Sequence, residues 1–426
     1  NAVEGLSLEA PKEKKFGDFS SNIAMRLSRE LRRAPLDIAA GIIKHIEKSD
    51  IIQDVKVEKP GFINFYISSK AVIAALEDII KEDAGFGSSS LGKAKKAQIE
   101  FVSANPTGPL TVAHGRQAAI GDSLARILKF SGYDVIKEYY INDEGVQIQA
   151  LGKSLKARFM EIMGEKSEFP EDGYKGGYIY EMAQKLKDSG VAERSSAPLS
   201  DGFFMEHASK EIMETIVKDL EDFGVHFDVW YSQKTLTKSG KIEKALEILK
   251  DKGFLYQKDE ATWFRSTDFG DDKDRVVIKN DGSYTYVTPD IAYHKEKFEK
   301  GYEKIINIWG PDHHGYISRI KAACHALGYD KEKLSILIAQ LVTLYREGKP
   351  VKMSTREGEF VTLREIIDEV GRDAARFFFI MRRRESHLDF DLALAKAETL
   401  DSPVYYIQYA HARISSIIEF SENAKP

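Results

Sequence analysis

One stretch of the sequence, residues 99–132, constrains the fold more than any other part of the chain. Residues 99–102 are mostly apolar and β-branched, which is typical of a buried parallel strand. The NPTGP segment at residues 105–109 can neither continue a strand nor start a long helix, so it predicts a loop. From Gly115 onward apolar residues recur at helical spacing, and residues 133–140 predict a second strand. This order predicts a βαβ unit and therefore a parallel sheet.

The loop in front of this helix is a candidate ligand site. A helix N-terminus carries free N–H groups and the positive end of the helix dipole, and both favour a bound phosphate. The sequence contains neither a G-x-G-x-x-G motif nor a P-loop at this place. His114 stands at the start of the helix, where an imidazole could donate a hydrogen bond to a phosphate oxygen. The same histidine could equally cap the helix or line the core, and the βαβ context leaves both alternatives open.

A second stretch, GKPVKMSTREG at residues 348–358, is polar, basic and bounded by glycines, so it predicts a mobile loop that carries cations. Together the two stretches resemble the paired HIGH and KMSKS signatures of class I aminoacyl-tRNA synthetases. Here they stand as TVAH at residues 111–114 and KMSTR at residues 352–356. Flanking segments narrow the resemblance to arginyl-tRNA synthetases. They lie at residues 101–110, 139–143, 271–275, 286–294, 310–315 and 403–413.

This resemblance extends over nearly the whole chain and implies both a fold and a function. The implied fold is α/β: a class I synthetase Rossmann-like parallel sheet with a small N-terminal α+β domain, a helical insertion and C-terminal helices. The implied reaction is the ATP-dependent ligation of arginine to an arginine-accepting tRNA through an arginyl adenylate, with Mg²⁺ on the ATP phosphates. The resemblance assigns ATP and catalysis to Thr111, His114, Gly115, Gly310, His313, Lys352, Ser354 and Arg356. It assigns arginine binding to Glu100, Ser103, Asn105, Tyr286, Asp290 and Asp312.

Two acidic residues point to a cationic substrate by a separate argument. Residues 284–290 alternate as a strand that ends at Asp290, which would place Tyr286 and Asp290 on one face. A buried carboxylate needs a cation, and Glu100 inside the first strand poses the same requirement. Two carboxylates and a tyrosine hydroxyl suit the five fixed donors of a guanidinium. Ordinary ion pairing or helix capping would suit each acid as well, and the residues alone leave that open.

Changes in composition along the chain, together with the resemblance, predict a domain order. The expected parts are a tRNA-contacting α/β domain at residues 1–85 and a Rossmann-like catalytic domain at residues 86–345, with a helical insertion at about 151–225. The KMSKS-type loop and connecting helices follow at 346–400. A truncated start of a helical anticodon-binding domain is expected at 401–426.

Charge and cysteine content restrict the classes of partner and compartment. The net charge is −5 and the pI about 6.1, so any RNA-binding surface must be a local basic patch. Cys324 is the only cysteine, which excludes an intrachain disulfide and favours a reducing compartment. No apolar run approaches the ~20 residues of a membrane span. We expect a cytoplasmic monomer, without a membrane anchor and without a metal site built from protein ligands.

Three positions depart from the family pattern. Thr111 replaces the first histidine of HIGH, Ala113 replaces its glycine, and Thr355 replaces the second lysine of KMSKS. These departures support an alternative function, a catalytically weakened synthetase-like paralogue that binds tRNA or a nucleotide. A third hypothesis is a class I synthetase for cysteine, which the absence of Cys/His zinc spacing disfavours.

Overall fold

The computed structural model of the protein describes residues 6–47, 49–191, 198–351 and 360–423. The chain forms two compact units, Asn1–Ser88 and Ser89–Pro426. The first unit is an antiparallel sheet of order β1-β3-β2 that packs against two helices around Ala24, Ile38 and Ile63. Its elements are β1 (Phe19–Ser21), α1 (Ile23–Leu31), α2 (Pro35–Ile43), β2 (Ile52–Glu58), β3 (Phe62–Ile67) and α3 (Ser69–Glu82).

Local sequence explains where the helices of this first unit begin. Pro35 is the first residue of α2, a position that suits a residue with a fixed φ and no N–H to lose. Asn22 occupies the N-cap position of α1, and the hydroxyl of Ser21, the last residue of β1, accepts the N–H of Ile23 at 3.3 Å.

The second unit is built on a five-stranded parallel sheet of order β11-β10-β4-β5-β6. This confirms the predicted α/β fold with a parallel sheet. Two smaller sheets, β7-β8-β9 and β13-β12-β14, accompany it. The strands are β4 (Lys96–Glu100), β5 (Asp134–Ile141), β6 (Val229–Ser232), β7 (Leu255–Lys258), β8 (Ala261–Phe264), β9 (Arg275–Ile278), β10 (Lys304–Trp309), β11 (Leu334–Ile338), β12 (Val342–Arg346), β13 (Lys349–Pro350) and β14 (Leu388–Asp391).

Helices cover the strands of this sheet, which are mostly buried. The helices are α4 (Val112–Phe130), α5 (Val146–Met163), α6 (Gly177–Asp188), α7 (Asp201–Asp222), α8 (Gln233–Lys238), α9 (Lys241–Asp251), α10 (Val287–Glu299), α11 (Ile317–Leu327), α12 (Leu363–Val370), α13 (Arg372–Ile380), α14 (Leu392–Lys396) and α15 (Pro403–Asn423). Cys324 is buried in α11. Among the described helices, none is both long and apolar enough to cross a membrane.

One predicted strand is wrong, and it matters for the site. Residues 284–290 do not form a strand that ends at Asp290, because α10 begins at Val287 and contains Asp290 in its first turn. Pro289 did not prevent the helix, since the N–H groups of a first turn have no helical partner. The hydroxyl of Thr288 donates to the Val277 carbonyl at 2.6 Å and fixes this turn on β9.

Residues 334–344 form two strands, β11 and β12, with a connection between them. One predicted helix boundary differs in the structure. Helix α4 begins at Val112, with Thr111 at its N-cap, and not at Gly115. His114 therefore lies inside the first helical turn.

Candidate active site

The carboxyl ends of β4 and β10 form the centre of the candidate site. The chain runs from β4 to β5 and β6 on one side and later returns to β10 and β11 on the other side. In an open parallel sheet, such a reversal of strand order leaves a crevice that binds ligands. Glu100 at the end of β4 is the register partner of Asn307 in β10, so the polar residues of the two strands meet at this crevice.

His114 is a neutral hydrogen-bond donor at the N-terminus of α4. Its Nδ1 lies 3.1 Å from the backbone nitrogen of Thr111, which donates to it, and 3.2 Å from the Thr111 hydroxyl oxygen. Since Nδ1 accepts, the ring proton is on Nε2, which is left to donate to a ligand. Burial lowers the pKa of His114 to about 4, although the nearby carboxylate of Asp312 opposes the shift. The imidazole is therefore uncharged at neutral pH.

The chain that follows the KMSTR segment is fixed to the start of α4. The backbone N–H of Leu363 donates to the Leu110 carbonyl at 2.7 Å, and the N–H of Val112 donates to the Val361 carbonyl at 3.3 Å. A β-bridge pairs Thr111 with Thr362. Thus the residues that follow the second segment are joined to the first segment next to His114. Lys352, Ser354 and Arg356 lie outside the described residues.

Gly115 has a packing role in this structure. A Cβ atom at this position would lie 2.8 Å from Leu363 Cδ1 and 3.1 Å from Phe379 Cε2. Its backbone N–H donates to the Thr111 carbonyl at 3.1 Å, inside the helix. Gly115 therefore allows a close approach of α12 and α13 to α4, and its contact with the ATP phosphates stays a prediction.

Glu100 already has a cation as its partner. Its side chain is buried, and its Oε2 lies 2.5 Å from Nζ of Lys297 in α10, whereas its Oε1 accepts the Ser103 hydroxyl at 3.0 Å. Burial alone would raise the pKa of Glu100, but the charge and hydrogen bond of Lys297 outweigh it and hold this pKa below its usual range. Glu100 is therefore ionised.

Ser103 and Asn105 follow β4 in a strained loop. Val102 and Ser103 have φ angles of +68° and +41°, a region that non-glycine residues rarely adopt and that is common at functional sites. The Ser103 hydroxyl oxygen also accepts the N–H of Tyr140 at 3.1 Å. The Asn105 side chain donates to Gln147 Oε1 at 2.7 Å. Both predicted residues are therefore at the crevice, fixed by polar partners.

Asp290 differs from Glu100 in having no ion-pair partner within the described part of the chain. Its Oδ2 accepts the Tyr316 hydroxyl at 2.8 Å, and the charges of Lys297 and Arg319 act on it only from beyond ion-pair distance. Burial is the main cause that raises the pKa of Asp290 to about 7, and the charge of Glu100 acts in the same direction. Tyr286, the third residue predicted on the arginine side chain, is 74% exposed in front of α10. The structure therefore groups Glu100 with Asp290 but leaves Tyr286 at the surface.

The loop after β10 carries the remaining predicted residues. Gly310 precedes a short 3-10 helix, Pro311–Tyr316, in which the side chains of Asp312 and His313 are exposed and their Oδ1 and Nδ1 atoms are 3.3 Å apart. A Cβ atom on Gly310 would lie 2.5 Å from Asp312 Oδ1, so a larger residue here would displace the exposed Asp312 side chain. Asp312 acts on the pKa of His114, so this loop lies close to the start of α4.

The comparisons with known proteins decide the family. The family model "tRNA synthetases class I (R), catalytic domain" matches residues 75–415, and "Arginyl tRNA synthetase N terminal domain" matches residues 1–67. The curated arginine–tRNA ligase of Anoxybacillus flavithermus is 51% identical over 99% of this chain and 76% of its own length. This chain is an arginyl-tRNA synthetase of class I. The arginine–tRNA ligase of Bacillus subtilis is 49% identical with the same coverage.

Solved structures agree with this assignment. A putative arginyl-tRNA synthetase from Campylobacter jejuni is 37% identical, with a TM-score of 0.77, over 84% of this chain and 78% of that one. The arginyl-tRNA synthetase of Thermus thermophilus has a TM-score of 0.74 over 98% of this chain and 78% of that one. At 20% identity, the second similarity shows the fold alone.

Several residues of this synthetase site were not predicted from the sequence. Tyr316 follows directly after the 310–315 motif, and Asn307 interrupts the apolar run at residues 305–309, which was an available signal. Nothing in the sequence indicated that Lys297 belongs to the site, because a lysine in a charged helix is usually exposed. Nothing indicated Arg116 either, although it is two residues after His114 and fully buried.

Arg116 fixes the connection between β11 and β12 to α4. Its Nη1 donates to the carbonyls of Gln340 and Leu341 at 2.8 and 3.2 Å, and its Nη2 donates to the Arg383 carbonyl at 3.0 Å. No carboxylate pairs with it in the described ranges of the chain. The planar guanidinium thus joins α4 to the main chain at Gln340, Leu341 and Arg383, because its fixed fork of donors reaches several carbonyls at once.

Replacing Arg116 by methionine is expected to destabilise the protein. Three carbonyl groups would lose a charged donor that is itself fully buried, so we expect a loss of about 3 kcal/mol in the free energy of unfolding. Lysine at this position should recover only part of it, because an ammonium cannot span three acceptors in the fork geometry. Urea unfolding measures the loss, with Lys129→Met on the exposed part of α4 as the matched control. Equal stability of the two methionine variants would contradict this role.

Proposed function

We propose that the protein joins arginine to an arginine-accepting tRNA, with ATP as the energy source and arginyl adenylate as the intermediate. The observation that carries the proposal is the pair of Glu100 and Asp290 at one crevice, of which only Asp290 has no ion-pair partner among the described residues. The relatives named arginine–tRNA ligase, at about half identity over nearly the whole chain, support the same reaction. They do not favour the alternative of a binding paralogue.

The arginine side chain would bind at Asp290. A guanidinium offers paired N–H donors in a plane, which match the two oxygens of a carboxylate. Glu100, Ser103 and Asn105 at the end of β4 would hold the rest of the amino acid. Tyr286 would join the site only after a movement of the chain in front of α10, since its ring is exposed. Asp312, at the start of the next loop, would face the amino group.

ATP would lie across the carboxyl ends of β4 and β10. Its phosphates would accept the Nε2–H of His114, and its adenosine would lie against Gly310 and His313. No cluster of three or more His, Cys, Asp or Glu in the described residues could hold a metal ion. Mg²⁺ would therefore enter on the phosphates of ATP, as part of the substrate, because it prefers phosphate oxygens and water to a protein cage.

The first reaction is a substitution at phosphorus. The arginine carboxylate oxygen attacks the α-phosphorus of ATP, the bond to the bridging oxygen breaks, and pyrophosphate leaves. Catalysis of this kind depends on positioning and on stabilising charge over the phosphate oxygens. His114 would donate from the α4 side, and Lys352, Ser354 and Arg356 would act from the loop. The terminal ribose hydroxyl of tRNA then attacks the adenylate carbonyl, and AMP leaves.

Arginylation of tRNA tests this function. The whole protein, incubated with ATP, Mg²⁺ and arginine-accepting tRNA, should attach radioactive arginine and leave lysine and cysteine unattached. Lysine should fail because a single ammonium leaves acceptors around Asp290 unpaired, and rejection of that kind is large. The same assay with Thr111→His and Ala113→Gly tests the departures from HIGH. A large gain in rate would identify a weakened enzyme, and absence of any charging with retained tRNA binding would contradict the proposal.

Arginine binding should depend on pH through Asp290. Its pKa of about 7 in the free protein means that arginine must expel a proton below pH 7, because the guanidinium pairs with the ionised form. We therefore expect the KM for arginine to rise about tenfold per pH unit below pH 7 and to be constant above pH 8. His114, with its pKa of about 4, adds nothing in this range. A KM that is constant from pH 6 to 8 would contradict this prediction.

The partners of the protein are proposed in the same terms. Arginine, ATP and tRNA follow from the reaction, and we propose that the protein acts as a monomer in the cytoplasm. The unit at residues 1–85 is proposed to contact tRNA, and residues 401–426 to begin an anticodon-binding domain. The net charge of the whole protein is −5, which implies that tRNA binds to local basic patches.

A further inference from the structure

We infer that Lys297 is a positioning residue of the arginine site: it neutralises Glu100 from inside the protein and leaves Asp290 as the single carboxylate whose charge is matched by the substrate guanidinium. This inference rests on the proposed function. It adds a residue that the sequence analysis did not assign to the site.

Lys297 is placed as an internal counter-ion. Its side chain is 1% exposed, and its Nζ lies 2.5 Å from Glu100 Oε2 and 2.8 Å from Asn307 Oδ1. Its ammonium also lies 4.4 Å from the centre of the Tyr293 ring, at cation–π distance. A buried ammonium is retained only when it is paired and hydrogen-bonded, and these three contacts meet that condition.

The hydrogen bonds continue from Lys297 to the backbone of Asp290. Because Asn307 Oδ1 accepts from Lys297, its Nδ2 is the donor to His294 Nε2, at 2.8 Å. The His294 Nδ1–H then donates to the Asp290 carbonyl at 2.8 Å. One directed chain of hydrogen bonds therefore connects β4, β10 and α10, and it links the position of the Glu100 carboxylate to the first turn that carries Asp290.

The charges around Glu100 add up to a requirement for one substrate cation. Lys297 and His294 face Glu100 from α10, Ser103 follows it on its own chain segment, and Tyr140 lies beside it on β5. Burial first, and then Lys297, lower the pKa of His294 to about 4, so Lys297 is the only cation among these groups. Glu100 and Lys297 cancel. On Asp290, burial and the charge of Glu100 outweigh the Tyr316 hydrogen bond and the charges of Lys297 and Arg319, so Asp290 remains without an ion-pair partner. Without Lys297, burial would leave both carboxyls protonated in the free protein, and a guanidinium that pairs with both would have to expel two protons.

A set of lysine substitutions tests this. Lys297→Met removes the cation, Lys297→Arg keeps it, and Lys295→Met is a matched control on the same helix, where the lysine pairs with exposed Glu299. We expect Lys297→Met to raise the KM for arginine at least tenfold at pH 7 and to change the KM for ATP less than twofold. Below pH 7, the slope of log KM for arginine against pH should steepen from about one towards two. Lys297→Arg and Lys295→Met should keep the wild-type slope.

Two results would overturn the inference. One is that Lys297→Met raises the KM for arginine and the KM for ATP equally and leaves the slope of log KM for arginine against pH unchanged. This is the behaviour of a merely structural residue. The other is obtained on the wild-type protein and does not depend on folding of a variant: calorimetry of arginine binding at pH 6, in two buffers and with tRNA present. One carboxylate predicts release of about one proton, whereas two protons would show that Glu100 is not neutralised. Failure of wild-type arginylation would instead contradict the proposed function.

Discussion

The Asp290→Asn variant is expected to lower kcat/KM for arginine by about 10²- to 10³-fold, since removing one partner of a buried charge pair costs about 2–5 kcal/mol. The amide keeps the size of the side chain and can still accept the Tyr316 hydroxyl, but it cannot neutralise a guanidinium. Amino-acid-dependent ATP–pyrophosphate exchange measures the effect. Glu299→Gln, an exposed acid on the same helix, is the control and should stay within twofold of the wild type.

The same substitution should stabilise the protein at high pH. The pKa of Asp290, about 7, is above its ordinary value of 3.8, so the folded protein binds a proton that the unfolded chain has lost between these pH values. The contribution of this carboxyl to stability therefore falls as pH rises from 4 to 7. Above pH 7.5, asparagine should increase the free energy of unfolding by on the order of 2–4 kcal/mol, with little change at pH 4. A variant that is less stable than the wild type at pH 8 would contradict this account.

The second large effect is expected at His114. Replacing it by alanine removes the Nε2–H donor to the phosphates and should lower kcat for pyrophosphate exchange by about 10²- to 10³-fold, as loss of one preorganised donor does in other active sites. The KM for ATP should change much less, because the donor acts most strongly on the charge that develops in the transition state. His226→Ala, at an exposed histidine, is the matched control. A change confined to KM would show that His114 only binds the ground state.

The wild-type rate should not follow titration of His114. Its pKa of about 4 keeps the imidazole neutral across the working range, because burial disfavours the charged form. At saturating arginine and ATP, titration of His114 should therefore not change kcat between pH 6 and 8. Any transition of kcat in this range should also be present in His114→Gln. If a transition disappears in His114→Gln, the histidine acts as a charged acid and the assigned tautomer is wrong.

The departure at Thr111 has a structural explanation. The contact that orients His114 comes from the backbone N–H of Thr111, at 3.1 Å from Nδ1, and a main-chain donor is present with any residue except proline. Replacing the first histidine of the signature by threonine therefore leaves the second histidine oriented. This supports catalysis by the chain as it stands.

Much of the fold follows from local sequence patterns. The parallel sheet was predictable because residues 99–102 and Lys304–Trp309 are short apolar runs, and glycines end the helices between them. The interval at 284–290 was not predictable by the same means. Its alternation favours a strand, yet the threonine hydroxyls bind the carbonyls of β9 and start α10, which is a tertiary effect.

The candidate site was predictable only in part. Position in the βαβ unit pointed to His114, and the need of a buried acid for a cation pointed to Glu100. The identity of that cation could not be inferred, because Lys297 is almost two hundred residues away from Glu100 in sequence and meets it only through the sheet. The exposure of Tyr286 also required coordinates, since an aromatic residue next to a helix start is buried or exposed according to its neighbours.

The central claim is that the free carboxylate of this crevice selects a guanidinium. The most direct test is ATP–pyrophosphate exchange with tRNA present, comparing arginine, lysine and citrulline, whose side chain has nearly the shape of arginine without its charge. We predict exchange with arginine, and rates at least 10³-fold lower with lysine and citrulline. Comparable exchange with citrulline would show that the charge paired with Asp290 does not determine recognition. Comparable exchange with lysine would show that the planar fork of the guanidinium does not determine recognition.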